Sequence, residues 1–134
     1  MAILRRYKFS ILIVLAIIYL SLILNPEDYD VQKNRSVIEG CSHVMMYCAF
    51  SFILWFEYMP LYGTSPLRHS FRKFKTWIIC LFFPFLFGAL MEIGQKYLTT
   101  YRGFEAADIV NNLIGCIFAS LSALMFSIIL RKRV

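Results

Sequence analysis

Four apolar stretches separated by short polar segments limit what this chain can fold into. The chain has 134 residues and is 60% hydrophobic, whereas a soluble domain is about 45–50% apolar. The predicted spans are residues 9–25, 43–62, 76–95 and 106–130, and a helix needs about 20 residues to cross a membrane. Almost nothing is left over for a soluble domain. We therefore predict one all-α domain, residues 1–134, folded as a four-helix transmembrane bundle of a polytopic membrane protein.

The basic residues predict the orientation of this bundle. Ten Lys and Arg residues fall on one side and four on the other, which places both termini and the central loop in the cytoplasm. The net charge of +6 is carried by short segments beside apolar spans, an arrangement that favours contact with anionic lipid headgroups over nucleic-acid binding. The predicted location is the cytoplasmic membrane, with lipids as partners and no nucleic acid.

Polar residues at helical spacing mark the predicted outer ends of three helices. Glu39, His43 and Tyr47 are four residues apart and share one face of the second helix. The same side receives Glu92 and Gln95 from the third helix, Arg102 from the last loop, and Glu105, Asp108 and Asn112 from the fourth helix. Charge at the centre of a membrane helix costs roughly 2.5–3.5 kcal/mol per group. Because so costly a cluster needs a reason, these nine residues form the predicted ligand-binding site.

The predicted site contains four acids but only one arginine and one histidine. This excess of negative charge requires a protonated acid, good solvation or an external cation. Candidate catalytic residues are His43, Glu92 and Asp108, because a histidine beside carboxylates can act as a general base or a metal ligand. No cofactor is predicted, and a metal ion at this outer polar cluster is left open.

A purely structural interpretation stands beside the functional one. Arg102 with Glu105 or Asp108 would form an ion pair at the membrane boundary, and Asn112 would form a hydrogen bond between helices. The last charged residue of the second helix, Glu57, is predicted to reach the boundary or the basic central loop, at Arg72 or Lys73. No function is predicted for Glu57.

Small residues predict how the third and fourth helices pack. Pro84 and Gly88 share a face with Glu92, and Gly115 and Ala119 continue the polar face of the fourth helix inward. We expect these two faces to meet, with Pro84 freeing one backbone carbonyl and an apolar groove beside Pro84 and Gly88. The outer loop is predicted to reach Ser42, with Ser36 or Ser42 capping the second helix.

At these residues the chain resembles the VanZ-like family of small membrane proteins. The resemblance is carried by Glu39, His43 and Tyr47, and by three later motifs. These motifs are Glu92-x-x-Gln95, Arg102-x-Phe104-Glu105-x-x-Asp108 and Asn112-x-x-Gly115. The family usually has Asp-Lys at the position of Glu39-Gly40, so the basic partner beside His43 is missing. Ala119 stands in place of a glycine.

The resemblance implies an integral membrane protein of the bacterial envelope, since the family's named member is linked to low-level resistance to teicoplanin. We therefore expect the outward-facing pocket to bind or modify a lipid-linked wall precursor or a lipoglycopeptide. The less favoured alternatives are a membrane-embedded enzyme, with His43 and Asp108 or Glu92 as an acid–base pair or metal site, and a structural assembly subunit.

Overall fold

The structure is a computed structural model that describes residues 5–23, 35–58, 74–99 and 105–131. These residues form four helices and no strand. Helix α1 is Lys8–Ile23, α2 is Arg35–Tyr58, α3 is Phe74–Leu98 and α4 is Ala106–Arg131. Helices α1 and α3 each contain one π-helical turn, at Tyr19–Ile23 and at Ile78–Phe82. The predicted all-helical class is confirmed for the described residues.

Helices α2 and α4 form the most extensive contact of the bundle. They run in the same direction, because His43 near the start of α2 lies beside Asp108 in the first turn of α4. Helices α1 and α3 run the opposite way, since Gln95 near the end of α3 donates a hydrogen bond to the Ser21 carbonyl near the end of α1. One end of the bundle thus gathers the starts of α2 and α4 and the ends of α1 and α3.

The side chains are distributed as in a membrane protein, with apolar groups outside and polar groups within. Leu12, Met45 and Phe118 are each at least 60% exposed, whereas Ser51 and Asn112 are fully buried. Three segments are long and apolar enough to cross a membrane, namely Ile38–Tyr58, Phe74–Leu98 and Ala106–Phe126. Helix α1 is apolar but shorter, so a fourth span remains a prediction.

Glu57, in the last turn of α2, caps the start of α1. Its carboxylate accepts the backbone N–H groups of Phe9 at 3.0 Å and Ser10 at 3.1 Å, and also the Ser10 hydroxyl. These N–H groups belong to the first turn of α1, where they have no partner within the helix. The described contacts of Glu57 are therefore with α1, and its predicted partners Arg72 and Lys73 lie outside the described residues.

Proline 84 lies inside α3, directly after the π-helical turn Ile78–Phe82. Proline has no N–H to donate to the carbonyl four positions earlier, which is that of Cys80. The Ser51 hydroxyl of α2 donates to this carbonyl instead, at 2.5 Å. The carbonyl that the sequence predicted to be freed is thus used to join α3 to α2.

The outer loop ends before Ser42, where it was predicted to end. Helix α2 begins at Arg35, before the predicted span 43–62, and it includes Glu39 with His43 and Tyr47, as their shared helix face predicted. Ser36 is also inside α2, and the Ser42 hydroxyl donates back to the Ile38 carbonyl at 2.8 Å rather than capping the helix. Serine hydroxyls satisfy a helical carbonyl four residues earlier in this way.

The predicted packing of the small-residue faces is only partly right. Gly88 of α3 does face α4, because a Cβ there would lie 2.8 Å from Nδ2 of Asn112. Gly115 instead faces α2, where a Cβ would collide with the Val44 carbonyl oxygen and lie 2.9 Å from the Cys48 nitrogen. Helical spacing identified the small face of α4 but not which neighbour it contacts.

Candidate functional site

His43 stands where three helices converge at one end of the bundle. It is five residues into the apolar segment Ile38–Tyr58 and only 4% exposed, which places it roughly 8 Å along the helix from the start of that segment. Its Nδ1 atom lies 3.0 Å from Oδ1 of Asn112 on α4. With the amide in this orientation, the ring donates Nδ1–H to the amide oxygen, and Nε2 faces the opposite way.

Two carboxylates flank the same imidazole. Oε1 of Glu92 on α3 lies 3.5 Å from Nδ1, and Oδ2 of Asp108 on α4 lies 3.7 Å from Nε2. Glu92 is 1% exposed and the side chain of Asp108 is 13% exposed. We call His43, Glu92, Asp108 and Asn112 the His43 cluster. Each of three helices contributes at least one of its members.

The His43 cluster has more negative than positive charge among its own members. With both acids ionised, its net charge is about −1 if the imidazole is protonated and about −2 if it is neutral. Carboxylates taken out of water need compensation from nearby charge or hydrogen bonds. A metal ion or a ligand carrying positive charge would provide this compensation.

The packing below the cluster leaves no room for larger side chains. Tyr47, one turn after His43, is 1% exposed. A Cβ on Gly88 would lie 2.9 Å from the Tyr47 ring and 2.8 Å from Nδ2 of Asn112. Only a glycine at this position of α3 lets the tyrosine and the amide keep their places. The sequence placed Gly88 on the face that meets α4, but it did not predict the contact of that face with Tyr47.

Asn111 is a residue that the sequence interpretation missed. Its Nδ2 atom lies 3.5 Å from Oδ1 of Asp108, and it would be 2.9 Å from a Cβ on Gly40 of α2. Asn111 therefore occupies the space between Asp108 and the start of α2. A side chain at Gly40 would have to displace Asn111.

Other predicted site residues lie around the cluster or beyond what is described. Glu39 is half-buried one turn before His43, and Glu105 is exposed just before α4. The buried Gln95 is used elsewhere, because its Nε2 donates to the Ser21 carbonyl of α1 at 3.1 Å. That carbonyl belongs to the π-helical turn Tyr19–Ile23. The spacing of side chains in the sequence does not predict such a turn, so this partner of Gln95 could not be predicted. Arg102 lies outside the described residues.

Pro84 and Gly88, beside which the sequence predicts an apolar groove, are both buried. An open apolar groove of about 580 Å³ lies between α2 and α4. Its walls include Val44 and Met45, which directly follow His43, and Phe118 of α4. The groove thus begins beside the His43 cluster on the outer surface of the bundle.

Fold and site together define a class: an all-helical protein with three helices that could span a membrane and a buried histidine between two acids at one end of its bundle. Among the described residues, His43, Glu92 and Asp108 offer potential ligand atoms within 4.8 Å of one another. No family model matches this chain, and no curated protein or solved structure matches it either.

Proposed function

We propose that this chain is an envelope membrane protein that binds a lipid-linked or lipoglycopeptide ligand at the His43 cluster. The observation that carries the proposal is the convergence of His43, Glu92 and Asp108 from three helices onto one buried point. Replacing a buried ionic group by apolar residues often leaves stability unchanged or improved. A purely structural role would therefore be served as well without these charges, and ligand binding gives a reason for them.

The depth of the cluster fits a ligand that is partly embedded in the membrane. Glu92 lies six residues before the end of α3 at Leu98, which is about 9 Å along the helix axis. This depth lies just beneath the interfacial region, where a polar headgroup meets hydrocarbon. A headgroup at the cluster would leave an attached acyl chain level with the adjacent apolar groove.

The proposed orientation puts the cluster on the outer face of the cytoplasmic membrane. It rests on the ten-to-four division of Lys and Arg. The start of α1 and the end of α4 would then face the cytoplasm. In this orientation, the cluster meets antibiotics and wall precursors that are present outside the cell.

The proposal predicts a specific resistance phenotype. Expression in a susceptible bacterium should raise the inhibitory concentration of teicoplanin several-fold, but not that of a glycopeptide without an acyl chain. Asp108→Asn removes the charge facing His43 and should abolish this protection, as should Arg102→Ala. The matched control is Glu105→Gln, an exposed acid at the same end of the bundle. Full protection by stably expressed Asp108→Asn and Arg102→Ala would overturn the proposal.

A second candidate is a membrane-embedded enzyme in which His43 exchanges a proton with the substrate. The observation that favours it is the fixed ring orientation, in which Asn112 holds Nδ1 and Nε2 faces Asp108. A hydrogen bond that fixes one ring nitrogen, here from Nδ1 to Asn112, and leaves the other nitrogen as the base is typical of general-base sites. Turnover of a lipid-linked substrate, lost in His43→Gln but kept in Glu105→Gln, would favour the enzyme over the binding protein.

A further inference from the structure

The distances within the His43 cluster match the coordination sphere of a small divalent metal ion. Zn²⁺ binds nitrogen and oxygen ligands at about 2.0–2.2 Å in tetrahedral geometry, so neighbouring ligand atoms lie about 3.4 Å apart. Nε2 of His43 and Oδ2 of Asp108 are 3.7 Å apart, and ligand atoms of His43, Glu92 and Asp108 all fall within 4.8 Å. His43 Nε2 and Asp108 are thus close enough to share one ion, while Glu92 lies nearer Nδ1, at 3.5 Å.

The hydrogen bond to Asn112 prepares His43 for such a role. When Nδ1–H donates to Oδ1 of Asn112, a neutral ring has its lone pair on Nε2. A lone pair facing the Asp108 carboxylate is unfavourable unless a proton or a cation lies between them. Metal-bound histidines almost always donate their other N–H to a carbonyl or carboxylate oxygen in this way, which fixes the ring and raises its basicity.

The Asn112 side chain supplies a second, independent observation. It is fully buried and reaches into the cluster through Oδ1, while its Nδ2 group has no hydrogen-bond partner among the described residues. A buried donor left without an acceptor costs about 1–3 kcal/mol. This Nδ2 group lies on the side of Gly88 and Tyr47, so the amide is held with Oδ1 towards His43.

We infer that His43, Glu92 and Asp108 bind one divalent transition-metal ion, with Zn²⁺ as the best fit. An imidazole with carboxylates suits Zn²⁺ better than Mg²⁺, which prefers oxygen ligands alone. Two carboxylates also balance its charge when His43 is neutral. Three protein ligands leave one coordination position open. This inference rests on the proposed function only in assigning that open position to an oxygen of the ligand, such as a phosphate or carboxylate.

Metal analysis of the whole chain tests the inference. The protein is purified in detergent through a tag without histidine, stripped with a chelator and titrated with ZnCl₂ in a calorimeter. We expect one Zn²⁺ per chain. His43→Ala and Asp108→Asn should each weaken binding at least a hundredfold, and Asn112→Ala, which removes only the support of the ring, about 10- to 100-fold. Glu57→Gln, which removes a carboxylate at the opposite end of the bundle, should bind Zn²⁺ as tightly as the unaltered chain.

Binding of Co²⁺ can be followed by visible absorption. This measurement does not require His43→Ala or Asp108→Asn to fold. Co²⁺ bound to the unaltered chain should give a visible absorption band, and Glu92→Gln should shift or remove it. Absence of stoichiometric metal in the folded chain, or equal binding by the unaltered chain and Asp108→Asn, would overturn the inference.

The metal site and the proposed ligand-binding function can be refuted independently. Stoichiometric Zn²⁺ together with undiminished teicoplanin protection in Asp108→Asn would retain the metal site and remove the proposed function. A metal-free chain whose protection is lost in Asp108→Asn would retain the function and remove the metal.

Discussion

At the scale of single residues, Glu57 shows how one carboxylate can stabilise two helices. Its oxygens accept two first-turn N–H groups and one hydroxyl of α1. A negative charge at a helix start also interacts favourably with the helix dipole. Side chains that satisfy first-turn N–H groups normally come from the residue just before the helix. Here the acceptor is Glu57, which lies 48 positions after Phe9 in the chain.

Glu57→Ala should destabilise the protein by about 2–3 kcal/mol, because charge-assisted hydrogen bonds to first-turn N–H groups are lost. Glu57→Gln keeps one acceptor oxygen but no charge, and should cost about 1 kcal/mol. Unfolding in mixed detergent micelles, followed by circular dichroism, measures both. The exposed Glu105 supplies the control, since Glu105→Gln should change nothing. Equal stability of Glu57→Ala and the unaltered chain would show that the cap is unimportant.

At the scale of helices, α2 and α4 approach closely because Gly115 has no side chain. Its neighbours are backbone atoms of Val44 and Cys48, which cannot rotate away as a side-chain tip can. Small residues permit this kind of approach between membrane helices. The approach brings His43 and Asn112 within hydrogen-bond distance one turn closer to the end of the bundle. The geometry of the site therefore depends on a glycine that contacts none of its polar groups.

Gly115→Ala should push α2 and α4 apart and cost about 1–3 kcal/mol, the usual range for overpacking. It should also weaken any activity or metal binding at the His43 cluster. Gly94→Ala is the matched control on α3, because its Cβ would have no neighbour closer than 4.0 Å. That control should stay within about 1 kcal/mol of the unaltered chain, since alanine has the better helix propensity. A reversal of this order in detergent unfolding would contradict the packing described here.

Helical periodicity explains which parts of the site could be predicted. Faces of α2 and α4 follow from spacings of three and four, so His43 and Asn112 could be assigned to inward faces from sequence alone. Periodicity does not say which neighbour a face meets, and Gly115 was assigned to the wrong one. The early start of α2 was missed because Ser36 and Gly40 resemble loop residues. The contacts of Glu57 and Gln95 are with backbone groups, which leave no trace in a side-chain pattern.

At the scale of the whole molecule, the bundle exposes large apolar side chains and buries polar side chains beside an apolar core. Its buried polar groups pair across helices, as when Trp55 of α2 donates to the Ser120 hydroxyl of α4 at 3.0 Å. The Ser120 hydroxyl in turn donates to the Cys116 carbonyl. Composition alone predicted a membrane protein, because an apolar exterior requires an apolar solvent. The pairing of its interior groups required the structure.

The orientation of the bundle can be tested by cysteine labelling. In a Cys41→Ala, Cys48→Ala background, the remaining native thiols of Cys80 and Cys116 are fully buried. Glu105→Cys should then react with a membrane-impermeant maleimide in intact cells, because the positive-inside rule places that end outside. Arg5→Cys, at the opposite end, should react only after the cells are permeabilised. The inverse labelling pattern would reverse the proposed topology.

The cap that Glu57 gives to α1 also has a consequence for the order of synthesis. The ribosome makes α1 before it makes α2, so the first turn of α1 exists for a time without its carboxylate. During that interval, water or lipid headgroups must accept the hydrogen bonds of the Phe9 and Ser10 N–H groups. Completion of α1 therefore waits until the last turn of α2 has been made and has packed against the start of α1. The first helix to be translated is not the first to be finished.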